Sequence, residues 1–127
     1  MSRSYADRSI TLHERIAHVS IERFARSPRC PDDHRFHARS SLQLVVSWLA
    51  VFAEHDSRGV PWHRLSPDGF VSAALDCDAS PKGRRFLADV LDVMTPFYSF
   101  LAEQGVVRRD EAMPIQRRLV ELSLAFS

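Results

Sequence analysis

The chain has 127 residues, 45% of them hydrophobic, enough for one compact domain to bury a core without disulfides or a structural metal. Its 17 Lys and Arg stand against 16 Asp and Glu, for a net charge of +1, which excludes both a disordered polyelectrolyte and a strongly basic coat protein. Two well-separated cysteines, Cys30 and Cys77, with no apolar leader at the start of the sequence, lead to the expectation of a soluble, cytoplasmic protein with free thiols. The longest apolar stretch, near Leu42 to Ala53, falls short of the roughly 20 residues that span a membrane. Lys82 is the sole lysine among the 17 basic residues. Codon bias accounts for that preference, although arginine is also the better ligand for phosphate and base edges.

Four glycines and apolar residues recurring at spacings of 3 and 4 predict an all-α chain of about five helices. The first helix opens at Thr11-Leu12-His13-Glu14, a capping box, and runs to about Arg26 with Leu12, Ile16, Val19 and Phe24 as its buried stripe. Ser27 to Asp33, with Pro28 and Pro31, breaks it. Residues 1–33 therefore read as a helical arm on a core domain of residues 34–127. A second helix starts between Asp33 and Ser40 and continues to about His55, with Leu42, Val45, Val46, Trp48, Leu49 and Phe52 covering more than half its circumference; it is the expected central helix. After the turn Asp56 to Pro61, Ser66-Pro67-Asp68 is an N-cap followed by proline at the first helical position, opening a short helix to about Leu75 whose core face is Phe70, Val71 and Ala74.

Ser80-Pro81 repeats that start signal before the longest helix, which carries Phe86, Leu87, Val90, Leu91, Met94, Phe97, Tyr98 and Leu101 and ends at Gly105. Pro96 predicts a kink near Asp92 to Pro96, or a division into two helices. A last helix from about Glu111 or Pro114 uses Ile115, Leu119, Leu122 and Phe126. Trp48, Leu49, Phe52, Phe70, Phe86, Val90, Phe97 and Leu101 are the side chains expected to meet in the core.

Chemistry-bearing residues are sparse. Cys30-Pro31-Asp32-Asp33-His34-Arg35-Phe36-His37 gathers ligand types that zinc accepts. Structural zinc sites, however, draw on two separated clusters, so this segment reads as a loop whose aspartates cap the next helix. His13 and His18, five apart, face different ways. Carboxylates flank Cys77, which disfavours its thiolate and predicts an unreactive thiol. Asp89 and Asp92 read as a solvated helix face. Neither a glycine-rich phosphate loop nor a nucleophile elbow occurs, and no catalytic residue, metal or cofactor is expected. Basic residues instead cluster at helix entrances, with Arg35 and Arg39 before the second helix and Lys82, Arg84 and Arg85 at the start of the fourth. Cations there oppose the helix macrodipole, whereas a helix start docked on phosphates would use them. Arg108-Arg109 and Arg117-Arg118, beside Asp110, Glu111 and Glu121, read as surface ion pairs.

From His37 to Arg109 several segments carry a resemblance. They are Ser41-Leu42-Gln43-Leu44-Val45-Val46-Ser47-Trp48-Leu49-Ala50-Val51-Phe52, Leu65-Ser66-Pro67-Asp68-Gly69-Phe70-Val71, and Arg84-Arg85-Phe86-Leu87 leading to Phe97-Tyr98-Ser99-Phe100-Leu101-Ala102-Glu103-Gln104-Gly105-Val106-Val107. Together these segments resemble the N-terminal core-binding (SAM-like) domain of tyrosine recombinases, the phage-integrase family. The resemblance implies a small helical bundle that clamps one face of duplex DNA. It would place Arg39, Ser40 and Ser41 at the start of one DNA-facing helix, and Lys82, Arg84 and Arg85 at the start of the other. This chain departs from the pattern in having Arg109-Asp110-Glu111 where the family has Asn-Pro, and Pro96 inside the second helix. The family's catalytic Arg-His-Arg-Tyr set has no counterpart, so recombinase chemistry is not expected. The sequence thus points to a non-enzymatic DNA-binding protein or regulator of a DNA-bound complex. The alternative is a helical protein-interaction or adaptor module, homodimeric in one version, since the second helix is richer in apolar residues than one buried stripe requires.

Overall fold

A computed structural model describes residues 17–52 and 60–126 of the chain, without the side chains of Val51 and Phe52. Among the described residues the protein is all-helical, with no strand. Five helices follow in order: α1 over residues 17–25, α2 Ala38–Phe52, α3 Pro67–Cys77, α4 Pro81–Glu103 and α5 Arg109–Phe126. Single 3₁₀ turns at Asp32–His34 and Trp62–Arg64 punctuate the connections.

The local signals act as their chemistry requires. The Ser66 and Ser80 hydroxyls accept from the backbone N–H groups of Gly69 (3.1 Å) and Gly83 (3.2 Å), each with proline at the next position. Gly105, at φ 75°, ends α4 in the left-handed region. Pro96 does not divide the helix, and the chain stays helical from Pro81 to Glu103. α5 starts at Arg109, earlier than Glu111 or Pro114, because the Arg108 carbonyl accepts from both Glu111 and Ala112. The Glu111 carboxylate reaches back to the Arg108 N–H at 3.1 Å, the reciprocal half of a cap.

α4 is the central helix, in place of α2. It packs against α2, α3 and α5, and Phe24 of α1 meets Phe97 and Phe100 edge-on at centroid separations of 5.2 and 5.7 Å. α5 runs antiparallel along it. Gln116 donates to the Thr95 carbonyl at 3.1 Å, Ser123 donates to Asp92, and Phe126 lies against Arg84 near the opposite end. α2 is also antiparallel to α4, since Leu44 and Trp48 adjoin Phe86 and Leu87 while His34, just before α2, reaches Asp92 at 3.9 Å.

One core contains Ile21, Phe24, Leu42, Leu49, Phe70, Val90, Phe97, Tyr98, Leu101 and Leu119. The described part of the expected arm therefore belongs to the same core as the rest. Several expectations are corrected. Val19 is 48% exposed, because α1 buries the stripe Ala17, Ile21, Phe24 and Ala25, and Val19 lies two positions from its members, on the far side of the turn. Phe86 is 52% exposed, and Trp48 and Ala74 are only partly buried at the core margin. Phe97 meets the rings of Phe24 and Trp62, whereas Phe86 lines an open groove with residues of α2 and α3. The proposed capping box at Thr11, together with Leu12, His13 and Ile16, lies outside the described residues, as do the side chain of Phe52 and the turn from Asp56 to Gly59. No described helix is long and apolar enough to cross a membrane.

Candidate functional site

The two expected DNA-facing helix starts lie at different places. Ser41 is fully buried and its hydroxyl lies 3.3 Å from His37 Nδ1. It therefore has no path to a phosphate. Arg39 grips the Glu22 carboxylate of α1 through Nε at 2.5 Å and Nη2 at 3.1 Å, so its fork is already filled. This pairing holds the Glu22 carboxyl below its ordinary range and raises the Arg39 guanidinium. Ser40 is exposed and donates to the His37 carbonyl at 3.0 Å. Arg35 is also structural: it donates to the carbonyls of Ala25 (2.6 Å) and Cys30 (2.9 Å) and to Asp32 (3.0 Å), closing the C-terminus of α1.

Lys82, Arg84 and Arg85 are exposed at the start of α4, as expected. Arg84 reaches the Ala79 carbonyl at 3.2 Å and stands 5.8 Å from the Phe126 ring centroid. Lys82 and Arg85 make no hydrogen bond or ion pair among the described residues. Because α2 and α4 are antiparallel, the start of α2 lies beside Asp92, ten residues along α4 from Lys82 and so roughly 15 Å away along its axis. Of the six residues Ser41 alone is buried, and the two helix starts are separated along α4.

The Cys30 to His37 segment is a packed joint. His34 Nδ1 lies 3.1 Å from His37 Nε2, and His34 Nε2 lies 3.9 Å from Asp92, which also accepts from Ser123. Asp92 is exposed, as a solvated face requires, and is also engaged by two neighbouring segments. Cys30 is buried, and burial pushes its thiol up. No group of three or more His, Cys, Asp or Glu among the described residues is arranged to hold a metal. Of the arginine pairs, Arg108 binds Asp110 and Arg118 binds Asp68 of α3 with its Nε 2.9 Å from Oδ2.

A groove of about 880 Å³ lies between α2, α3 and the first half of α4. Leu44 and Trp48 line it from α2, Phe70, Ala73 and Ala74 from α3, and Phe86 and Val90 from α4. Trp48 and Phe70 meet edge-on at 5.8 Å, joining α2 to α3 at the groove. Phe86 of α4 and Leu44 of α2, the latter 42% exposed, both line it and are exposed. Asp76, exposed Cys77, Asp78 and Lys82 mark one end. Hydrogen bonding from Ser80 holds the Asp78 carboxyl below its ordinary range, with Lys82 adding to the effect.

Sequence reasoning assigned Trp48 and Phe86 to the core and left Leu44 unassigned. The signal was nevertheless present in α2, which has no charged residue from Ser40 to Phe52 although Ser40, Gln43, Leu44 and Ser47 are exposed. A charge-free outer helix face is what the centre of an interface requires. Compared with protein-family models, with curated proteins and with solved structures, the chain shows no match.

Proposed function

We propose that this protein is a non-enzymatic helical interaction module that docks an apolar helix of a protein partner in the groove between α2, α3 and α4. One observation carries the reading: Leu44 of α2 and Phe86 of α4, both exposed, line one apolar groove, and α2 carries no charged residue from Ser40 to Phe52. A helix presenting apolar residues at i, i+3, i+4 and i+7 fits such a groove. Burying these two side chains supplies favourable apolar area at little conformational cost, because Phe86 has only two side-chain torsions to fix.

The test uses Cys77, exposed at the end of the groove while Cys30 is buried, as the attachment point for an environment-sensitive fluorophore. An idealised amphipathic peptide with that spacing should bind and shift the emission, and a peptide of the same composition with a scrambled stripe should not. Leu44→Asp and Phe86→Asp should each abolish the response with unchanged circular dichroism. Equal responses to both peptides, or indifference to both substitutions, would remove the reading.

Binding of duplex DNA is the second reading, carried by Lys82 and Arg85, exposed against the macrodipole and unpaired among the described residues. Its support is narrower than the resemblance implies, because Arg39 and Ser41 are committed elsewhere in the fold.

A further inference from the structure

The joint between α1 and α2 carries a chain of titratable side chains that the docking reading does not use. Ser123 of α5 donates to Asp92 of α4, whose carboxylate lies 3.9 Å from His34 Nε2. His34 Nδ1 lies 3.1 Å from His37 Nε2, and His37 Nδ1 lies 3.3 Å from the Ser41 hydroxyl of α2. These contacts assign the protons of the neutral pair. An ionised carboxylate only accepts, so His34 carries its proton on Nε2 and accepts at Nδ1. His37 then donates from Nε2, and its Nδ1 accepts from the buried Ser41 hydroxyl. One added proton also fits, because Ser41 can accept from His37 Nδ1 in place of donating and Asp92 offsets the charge. A second does not fit. It sets N–H against N–H across 3.1 Å and places two cations beside one carboxylate.

The other charged groups of the joint are committed elsewhere or screened. Asp32, on the same segment, is held by Arg35, whose guanidinium also donates to the Ala25 and Cys30 carbonyls. Glu22 of α1 is closed on Arg39 of α2. Asp33 is exposed to water, where salt weakens its pull, and burial keeps the Cys30 thiol neutral. We propose that His34 and His37 form an acid-opened clasp: with at most one added proton they hold the α1–α2 joint to α4, and with two they release it. The His34 side chain is 20% exposed, so protons reach the pair without unfolding. The opening is local, because the rings of Phe24, Phe97 and Phe100, which do not titrate, still hold α1 to α4.

A double-mutant cycle of His34→Ala and His37→Ala tests it, with melting temperature followed from about pH 8 to about pH 5, the window in which histidine changes charge. The cycle cancels the carboxylates that also titrate on acidification and isolates the pair. Near pH 8 the double variant should melt close to the lower of the two single variants, since either replacement removes the shared contact. At the acid end that coupling should vanish or change sign. Additive effects near pH 8, or a coupling that does not depend on pH, overturn the proposal. Imidazole ¹⁵N spectra of the intact chain need no variant. Near pH 8 both rings should carry the proton on Nε2, and on acidification each should register the titration of the other in two linked steps. A proton on Nδ1 of either neutral ring, or two independent single steps, overturns it as well. Amide exchange, corrected for its intrinsic rate, should rise from Ala38 to Leu42 at the acid end while that around Phe97 holds. A start of α2 that stays protected after both rings are charged also overturns the clasp.

Discussion

Phe97 shows how much of this fold can rest on one side chain. It is fully buried, with Phe24 at 5.2 Å and Trp62 at 5.0 Å, both edge-on, so α1 and the 3₁₀ turn before α3 are joined to α4 through a single ring. Beside it the Tyr98 hydroxyl donates to the Trp62 carbonyl at 2.6 Å, and burial pushes that phenol well above its ordinary range. Phe97→Ala should cost about 3 to 5 kcal/mol in equilibrium denaturation, through lost transfer energy and a cavity that rigid neighbours cannot fill. That is a large share of the roughly 5 to 15 kcal/mol that holds a domain. A loss below about 1 kcal/mol would mean that these rings do not meet. Phe86, eleven positions earlier on the same helix, should tolerate truncation, since only the groove margin depends on it.

At the scale of the elements, the α3–α4 corner makes a prediction opposite to helix propensity. Replacing glycine by alanine in a helix ordinarily gains about 1 kcal/mol. A Cβ on Gly83, however, would fall 2.4 Å from the Asp78 carbonyl oxygen and 2.5 Å from Asp78 Cγ, in a turn held by the Ser80 cap and by the Ser80 N–H donating to Asp78. Gly83→Ala should therefore lower stability by on the order of 1 to 3 kcal/mol, as forced overpacking does. A raised melting temperature would show that the turn yields freely.

The helices are also tied by charge. Arg118 of α5 grips Asp68 of α3 and holds its carboxyl below the ordinary value of 3.8. Folded Asp68 thus binds its proton less readily than unfolded Asp68, so the ion pair stabilises fully above the ordinary aspartate range and its contribution is lost as pH falls through the lowered folded value. Glu22, held down by Arg39, behaves in the same sense. Melting temperature followed from neutral to acid pH should fall less steeply in Asp68→Asn than in the wild type. Parallel curves would mean that the pair adds nothing, as with many exposed pairs.

For the whole molecule, DNA binding and protein docking make different demands on the same corner. If DNA binds at the start of α4, replacing Arg84 and Arg85 together should reduce the salt slope of duplex affinity by roughly 1 to 2 units with the fold intact. Unchanged affinity in that variant removes the carried-over role of both arginines. Leu44→Asp and Phe86→Asp, in contrast, should leave any DNA affinity at the basic end largely intact while abolishing groove binding.

What the sequence determined by itself was local. The Ser-Pro starts at residues 66 and 80, the stop at Gly105, the all-α class and the stripe from Leu87 to Leu101 each depend on neighbours a few positions away, and periodicity and capping chemistry encode such neighbours directly. Tertiary structure decided which helix is central, which of two adjacent apolar residues is covered, and which basic residues remain available. Leu87 and Phe86 are equally apolar, yet only the neighbouring helices settle which one is buried. Arg39 and Lys82 read alike in the chain until Glu22, 17 positions from Arg39, fills the guanidinium fork, while Lys82 stays exposed with only the longer-range pull of Asp78. The groove escaped sequence reasoning for the same reason: it is the space left where three helices fail to close, and its walls come from segments about 40 residues apart.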